Sequence, residues 1–305
     1  MMKETKVKFP KFLLTEYPFD GNFFTNKDGH KLHYVDEGKG DVVLMLHGNP
    51  TWSFYYRNLI KYMHGDFRCI ALDHLGCGLS DKPQDYNYCL ENHINNARCL
   101  IENLNFGKFH LVLHDWGCAI GMALAEMWPE CIESITIMNG AAFLSNEIPK
   151  RINFCRTSWL AKFLVLRLNL FAIGSSYMAV NYPMSKEIRS GYLYPYNSKA
   201  NRIATLRFVQ DIPMDSGHRS WNTLKKIGQN LGLLRKKKAL ILWSQKDFCF
   251  TESFLKVWID SFDDAHVIKL NDCGHYVLED SKALGMTAIR NFLLSTKKQN
   301  ALSYC

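Results

Sequence analysis

One carboxylate stands at a position typical of a catalytic nucleophile. In the segment LVLHDWGCAIGMALA (111–125), an apolar run typical of a buried strand ends at Asp115, and small residues then begin a helix. A sharp strand-to-helix turn of this kind holds one side chain exposed above a parallel sheet. With Asp rather than Ser at the turn, attack forms an alkyl ester of the enzyme and requires an sp³ carbon, as in a carbon–halogen bond or a strained C–O bond. The residue type therefore predicts alkyl-ester chemistry.

A second aspartate and a histidine follow in the order nucleophile, acid, histidine. Asp247 comes just after the buried run ALILW (239–243), and His275 lies in the glycine-containing segment NDCGHYVLED (271–280). Both are expected at the carboxyl ends of parallel strands, where open α/β sheets bind ligands. We interpret His275 as the general base, and Asp247 as the acid that orients its imidazole and stabilises its cation.

Two uncharged donors are expected to face the nucleophile. Asn49, in HGNP (47–50), offers a backbone N–H and a side-chain amide, and Trp116 offers an indole N–H that cannot accept. Such donors stabilise the charge that develops on a departing halide or carboxylate. Asn139, at the end of another predicted strand, is a candidate support for the site. His47 is interpreted as shaping its loop, and His74, His110 and His114 as structural.

The elements that must position these side chains alternate along the chain. Strands are predicted at 21–26, 31–37, 41–47, 68–72, 109–114, 134–139, 239–243 and 266–270, and helices at 52–63, 91–104, 117–128 and 278–294. This rhythm predicts an α/β fold with a mostly parallel, doubly wound sheet and helices on both faces.

The rhythm breaks between residues 142 and 216. Helical segments rich in Phe, Leu, Met and Tyr replace the strands there, and strand alternation resumes afterwards. We interpret 142–216 as an inserted helical cap, and 21–141 with 217–297 as the core domain. Ordinary core helices are the alternative.

Composition narrows the classes of function. The chain is 47% hydrophobic and 22% charged, as in globular proteins, with a net charge of +8 and basic runs at 235–238 and 297–298. Aromatic residues do not interleave with these runs, so no nucleic-acid partner is expected, and only weak attraction to an anionic membrane surface. The apolar helical segment 161–173 is interrupted by Lys162 and Arg167 and is too short for stable membrane insertion.

The cysteines and the N-terminal segment favour a reducing cytoplasm. None of the ten cysteines forms a C-x-x-C pair, and MMKETKVKFPKFLL lacks the long apolar region of a signal peptide. No H-E-x-x-H or spaced Cys/His set predicts a metal, and no G-x-G-x-x-G follows a strand, so neither metal nor other cofactor is expected.

Three segments carry a resemblance to a known family. HGNPTWSFYYR (47–57), DHLGCGLSDKP (73–83) and HDWGCAIGMA (114–123) resemble the haloalkane dehalogenase branch of the α/β-hydrolase superfamily. The chain resembles the OleB-type cis-β-lactone decarboxylases of bacterial olefin biosynthesis more closely still. That resemblance is carried by HGNPTWSFYYR together with GYLYPYNSKANRIATLRFVQDIP (191–213) in the cap and CGHYVLED (273–280). By position, the resemblance implies an α/β-hydrolase fold with Asp115 as nucleophile, His275 as base, Asp247 as acid, and Asn49 with Trp116 as the anion-binding pair.

One position departs from the pattern. Cys118 stands where these families usually have a second glycine after Trp-Gly; crowding at the start of the helix is one outcome, but a small residue should fit there.

The resemblance also implies a substrate and a reaction. The substrate would be a cis-β-lactone with two long alkyl chains, a hydrophobic small molecule that is converted to a cis-alkene and carbon dioxide. Other enzymes of an olefin pathway are possible partners, and the apolar cap residues are candidates for a tunnel.

Four other functions compete with this interpretation. A haloalkane dehalogenase would use His275 to activate water, and an epoxide hydrolase would aim two cap tyrosines at the ring oxygen, from among Tyr177, Tyr182, Tyr192, Tyr194 and Tyr196. A fluoroacetate-type dehalogenase fits poorly because Asp-Trp replaces its Asp-Arg. A binding protein of this fold with little turnover is disfavoured by the complete triad.

Overall fold

An eight-stranded sheet forms the centre of the molecule. The computed structural model describes residues 9–302, with side chains to residue 297. The strands are β1 (Asn22–Thr25), β2 (Lys31–Glu37), β3 (Val42–Leu46), β4 (Arg68–Leu72), β5 (Phe109–Asp115), β6 (Ile132–Gly140), β7 (Lys238–Ser244) and β8 (Ala265–Leu270). Their order is β1-β2-β4-β3-β5-β6-β7-β8. β1 and β2 pair antiparallel, as do β2 and β4, whereas β3 to β8 are parallel.

Helices cover both faces of the sheet. They are α1 (Lys11–Glu16), α2 (Arg57–Met63), α3 (Leu90–Leu104), α4 (Trp116–Met127), α5 (Lys150–Thr157), α6 (Trp159–Leu168), α7 (Leu170–Met178), α8 (Lys186–Leu193), α9 (Ile203–Gln210), α10 (Trp221–Asn230), α11 (Glu252–Ser261) and α12 (Val277–Leu302).

Two hydrophobic cores lie on opposite faces of the sheet. In β3, Leu44 and Leu46 join the core that holds α3 and α4, while Val43 and Met45 join the one that holds α2 and α12. Successive strand side chains point to opposite faces, so a strand buried on both faces must be apolar throughout. The α/β architecture predicted from the sequence is confirmed.

Several boundaries differ from the prediction. The segment 52–63 divides into a 3₁₀ turn (Ser53–Tyr56) and α2, and α4 begins one residue early, directly after Asp115. α12 is broken at Lys282, whose φ is 46°. α1, α10 and α11 were not predicted; α1 has only six residues, too few to show a helical period.

The region between β6 and α10 contains the helices α5 to α9 and no strand. The hydrogen bonds that join it to the core include those of Asn49 Nδ2 with the Thr205 carbonyl (3.0 Å), Trp52 Nε1 with the Gly191 carbonyl (3.2 Å), and Tyr196 Oη with the Thr51 carbonyl (3.3 Å). The exact limits of the core and cap as domains, 21–141 with 217–297 and 142–216, stay a prediction.

Candidate active site

The turn at Asp115 is strained and tightly packed. Asp115 ends β5 with φ 53° and ψ −124°, a conformation that non-glycine residues rarely adopt, and α4 follows at once. Neighbouring glycines make room for it. A Cβ on Gly48 would lie 1.9 Å from Asp115 Oδ1, and a Cβ on Gly117 would lie 1.9 Å from the Leu46 carbonyl oxygen. The packing therefore fixes the carboxylate in one place.

Two backbone N–H groups hold the Asp115 carboxylate. Asn49 N donates to Oδ1 at 2.9 Å, and the Trp116 N–H, at the start of α4, is a second donor. Burial raises the pKa of Asp115, while the charge of His275 and these two donors oppose the rise. The positive end of the α4 dipole acts in the same direction. Burial is the largest of these effects, so the net pKa of Asp115 is raised, and the two donors hold a carboxyl group that is poorly hydrated.

His275 lies between the two aspartates. Its Nδ1 is 2.8 Å from Asp247 Oδ2, and its Nε2 is 3.7 Å from Asp115 Oδ2. Burial lowers the pKa of His275, but Asp247 and Asp115 outweigh it, and the net effect is a raised pKa. The imidazole therefore holds a proton more readily than free histidine does.

Asp247 is itself fixed by its own loop. The Cys249 N–H donates to Asp247 Oδ1 at 2.7 Å, which leaves Oδ2 for His275. Asn139 joins the ends of β6 and β7: its Oδ1 accepts from Ser244 N (2.7 Å) and its Nδ2 donates to the Ser244 carbonyl (3.1 Å). Asn139 therefore supports the strand end from which the Asp247 loop begins.

Asp280 organises the His275 loop, a function that sequence reasoning missed. This buried carboxylate accepts backbone N–H groups from Gly274 (2.7 Å), Asn181 (2.7 Å) and Tyr182 (3.0 Å). The residue before His275 is thereby joined to the cap segment that follows α7. Tyr276 N also donates to the Ala179 carbonyl at 2.6 Å. The signal was present as an acidic residue five positions after His275, but nothing in the sequence showed its partners.

The expected donor pair differs in detail from the prediction. The Asn49 backbone N–H donates to Asp115, and its side-chain amide donates to the Thr205 carbonyl in α9. Trp116 borders the cavity beside Asp115, and within residues 9–297 its indole N–H has no hydrogen-bond partner. The donors left for a developing anion are therefore this indole N–H and the second hydrogen of the Asn49 amide.

Cys118 fits at the start of α4, as expected for a small residue. Its thiol is fully buried, and a Cβ on Gly140, at the end of β6, would lie only 2.5 Å from its sulfur. The missing side chain of Gly140 thus makes room for that of Cys118. His47, by contrast, behaves as interpreted: its Nδ1 donates to the Gly48 carbonyl at 2.7 Å and its Nε2 accepts from His74 N.

An apolar cavity of about 150 Å³ lies above Asp115 and His275. Its lining is mainly hydrophobic and comes from both core and cap, including Ala119, Phe143, Ile152, Phe171, Leu224 and Phe250. None of the five tyrosines considered for an epoxide hydrolase borders it. Two of them are used elsewhere: Tyr192 Oη donates to Glu279 and Tyr196 Oη to Thr51. The epoxide hydrolase interpretation therefore loses its ring-oxygen donors.

Comparison with known proteins agrees with this geometry. Residues 41–282 match the family described as alpha/beta hydrolase fold. The chain belongs to that family.

The relatives give a finer classification. The chain is 43% identical over 290 residues to a cis-3-alkyl-4-alkyloxetan-2-one decarboxylase of Shewanella oneidensis, covering 93% of this chain and 91% of that protein. It is 35% identical over 290 residues to a protein of the same name from Xanthomonas campestris, covering 91% and 97%. The crystal structure of haloalkane dehalogenase DbeA from Bradyrhizobium elkani superposes with a TM-score of 0.84 at 22% identity, covering 92% and 99%. The resemblance to the decarboxylase and dehalogenase branch is confirmed.

Proposed function

We propose that this protein decarboxylates cis-3,4-dialkyl β-lactones to cis-alkenes and carbon dioxide, with Asp115 as nucleophile. Similarity over nearly the whole chain to two proteins named as oxetan-2-one decarboxylases carries the proposal. The site supports it because a carboxylate at the strand-to-helix turn opens a strained C–O bond through an alkyl ester.

The reaction has two steps that balance without water. Asp115 attacks C4 of the lactone with inversion, and the ring C4–O electrons pass to the carboxylate that forms. The C3–carboxylate bond then breaks, its electrons form the double bond, and the ester C4–O electrons return to Asp115. Anti elimination after inversion preserves the cis arrangement of the alkyl chains. Carbon dioxide and alkene leave, and the Asp115 carboxylate is regenerated.

The polar groups act on the charges of these two steps. The Trp116 indole N–H and the free amide hydrogen of Asn49 stabilise the carboxylate released by ring opening. In the second step, negative charge returns to Asp115, 3.7 Å from His275 Nε2. A protonated His275 stabilises that charge, and its raised pKa favours the protonated form. His275 thus serves mainly as a fixed cation, with Asp247 as its counter-ion.

The direct test offers the purified protein two substrates in parallel. A long-chain cis-β-lactone should give the cis-alkene, detected by gas chromatography, while 1-bromobutane should release little bromide. Asp115→Ala should abolish alkene formation with unchanged circular dichroism. Bromide release without alkene would overturn the proposal in favour of a haloalkane dehalogenase.

The cysteines and the cavity bear on the cell compartment and on the partners. Nine cysteines lie within the described residues and all are unpaired, which supports a reducing compartment such as the cytoplasm. A hydrophobic small molecule fits the apolar cavity. Association with other enzymes of an olefin pathway stays a prediction from the resemblance.

A further inference from the structure

One segment of the cap contains basic residues but no acidic ones. We call residues 148–186 the outer cap; it comprises α5 to α7 and the segment that leads to α8. No Asp or Glu occurs in it, whereas Lys150, Arg151, Arg156, Lys162, Arg167 and Lys186 do. Within the part of the chain that the structure describes, none of these six forms an ion pair with a carboxylate. The outer cap is thus a cationic surface without internal compensation.

The same surface exposes large apolar side chains. Trp159 is 82% exposed, Tyr177 61% and Phe163 52%. Further exposed apolar residues of the outer cap are Phe154, Leu160, Leu168, Leu170 and Met178. Apolar patches that a protein leaves exposed mark protein or membrane contacts. Trp159, Phe163 and Arg167 follow one another at four-residue spacing on α6, so aromatic and cationic groups share one face.

The hydropathy of this region points to a bilayer. Among the described residues, no single helix is long and apolar enough to cross a membrane. α6 and α7 pass that test only as a pair, and they are bent by 82°. Because Ala161, Val165 and Ala172 are buried, one side of the pair packs on the protein and the other remains exposed. A helix with one apolar aromatic side and flanking basic residues is the form that lies in a membrane interface.

The outer cap also reaches the cavity. Ile148, Pro149 and Ile152 line it from α5 and the preceding segment, and Phe171 and Ser175 line it from α7. Arg151 Nη1 lies 3.3 Å from Met178 Sδ, so α5 and α7 are in direct contact beside the exposed patch. The elements that border the cavity are therefore those that carry the apolar surface.

We propose that the outer cap docks on anionic lipid bilayers, with Trp159 and Phe163 in the interface and the basic residues against lipid phosphates. Lys and Arg attract anionic headgroups while their aliphatic stems cover apolar surface. Passage of a dialkyl lactone from the bilayer into the cavity follows if the proposed function holds, and that consequence rests on it. The docking itself does not.

The test is co-sedimentation of the full chain with vesicles. Vesicles of phosphatidylcholine with about 30% phosphatidylglycerol should bind the protein, and pure phosphatidylcholine should bind it much less. Salt should weaken binding. Trp159→Ser with Phe163→Ser should raise the Kd at least about tenfold, because two aromatic side chains leave the interface. Leu233→Ser, an equally exposed apolar position on the core at 63%, is the matched control and should change it less than about twofold.

Charge-reversal variants test the contribution of the basic residues to lipid binding independently. Lys162→Glu with Arg167→Glu should abolish the preference for phosphatidylglycerol, whereas Lys225→Glu with Lys236→Glu, exposed on the core, should preserve it. Quenching of tryptophan fluorescence by brominated lipid should disappear in Trp159→Phe while binding persists.

Three results would overturn the docking: no vesicle binding by the wild type, equal binding by the double Ser variant, or a wild-type dimer that this variant dissociates. The last would make the patch a contact between copies of the chain. Alkene formation without vesicle binding refutes the docking alone, and vesicle binding without alkene refutes the proposed function alone.

Discussion

The carboxyl edge of the sheet and the outer cap differ in how far their residues are buried and in whether their charged groups have partners. In α4, which begins at the nucleophile, nine of twelve residues are buried; in α6 only three of ten are, and in α5 none. Carboxylates at the sheet edge are matched by donors, as Asp115 is by two N–H groups and Asp280 by three. The six cations of the outer cap form no ion pair with a carboxylate of the described residues. Under the two proposals, the buried region carries the reaction and the exposed region determines where the substrate comes from.

The largest expected effect comes from the tight packing at the sheet edge. In Gly48→Ala the new methyl carbon would lie 1.9 Å from the present position of Asp115 Oδ1, so the carboxylate would have to move. Displacing the nucleophile should lower kcat/KM for the lactone about 100-fold or more. Gly107→Ala, where a Cβ meets nothing within 4 Å, is the control. Normal activity of Gly48→Ala would show that the carboxylate is not held as described.

His275→Gln tests whether the histidine is a cation or a water-activating base. We expect alkene formation to fall roughly tenfold to 100-fold, since the charge beside Asp115 is lost but no proton transfer is needed. Intact-protein mass spectrometry should find no stable ester. Accumulation of one equivalent of alkylated protein would instead reveal a hydrolytic enzyme deprived of its base. His266→Gln, at an exposed histidine, serves as control.

Asp280→Asn tests the connection between the two regions. An amide cannot accept from all three N–H groups, so unfolding free energy should fall by about 2 kcal/mol and kcat by about tenfold. Because Asp280 positions His275, its effect on kcat should largely vanish in the His275→Gln background. Full additivity would mean that Asp280 is merely structural. Asp272→Asn, at an exposed residue of the same loop, is the control.

The smallest effect is expected in the cap lining. Ile152→Trp narrows the cavity from α5, and the ratio of kcat/KM values for long and short lactones should fall about fivefold. Leu233→Trp, away from the cavity, should leave the ratio unaltered. An unchanged ratio in Ile152→Trp would exclude α5 from substrate selection.

The sequence predicted the sheet edge better than the cap, for physical reasons. Buried strands such as β3 have continuous apolar runs, and the order Asp115, Asp247, His275 follows the strands, so the chemistry could be inferred from short segments. The partners that a residue contacts from distant parts of the chain could not be inferred in this way. The Asp280 contacts with Asn181 and Tyr182, and the space that Gly140 gives Cys118, join residues distant along the chain. The exposure of Trp159 also depends on packing that no local pattern encodes.

In the proposed reaction, Asp115 leaves by elimination and no water attacks its ester. The direct measurement is turnover of a cis-β-lactone in ¹⁸O-enriched water, followed by mass spectrometry of the peptide that contains Asp115. If elimination returns the electrons to the original oxygen, many turnovers should leave the Asp115 carboxylate unlabelled. Incorporation of ¹⁸O into Asp115 during turnover would contradict this account, because it requires hydrolysis of the ester at its carbonyl carbon.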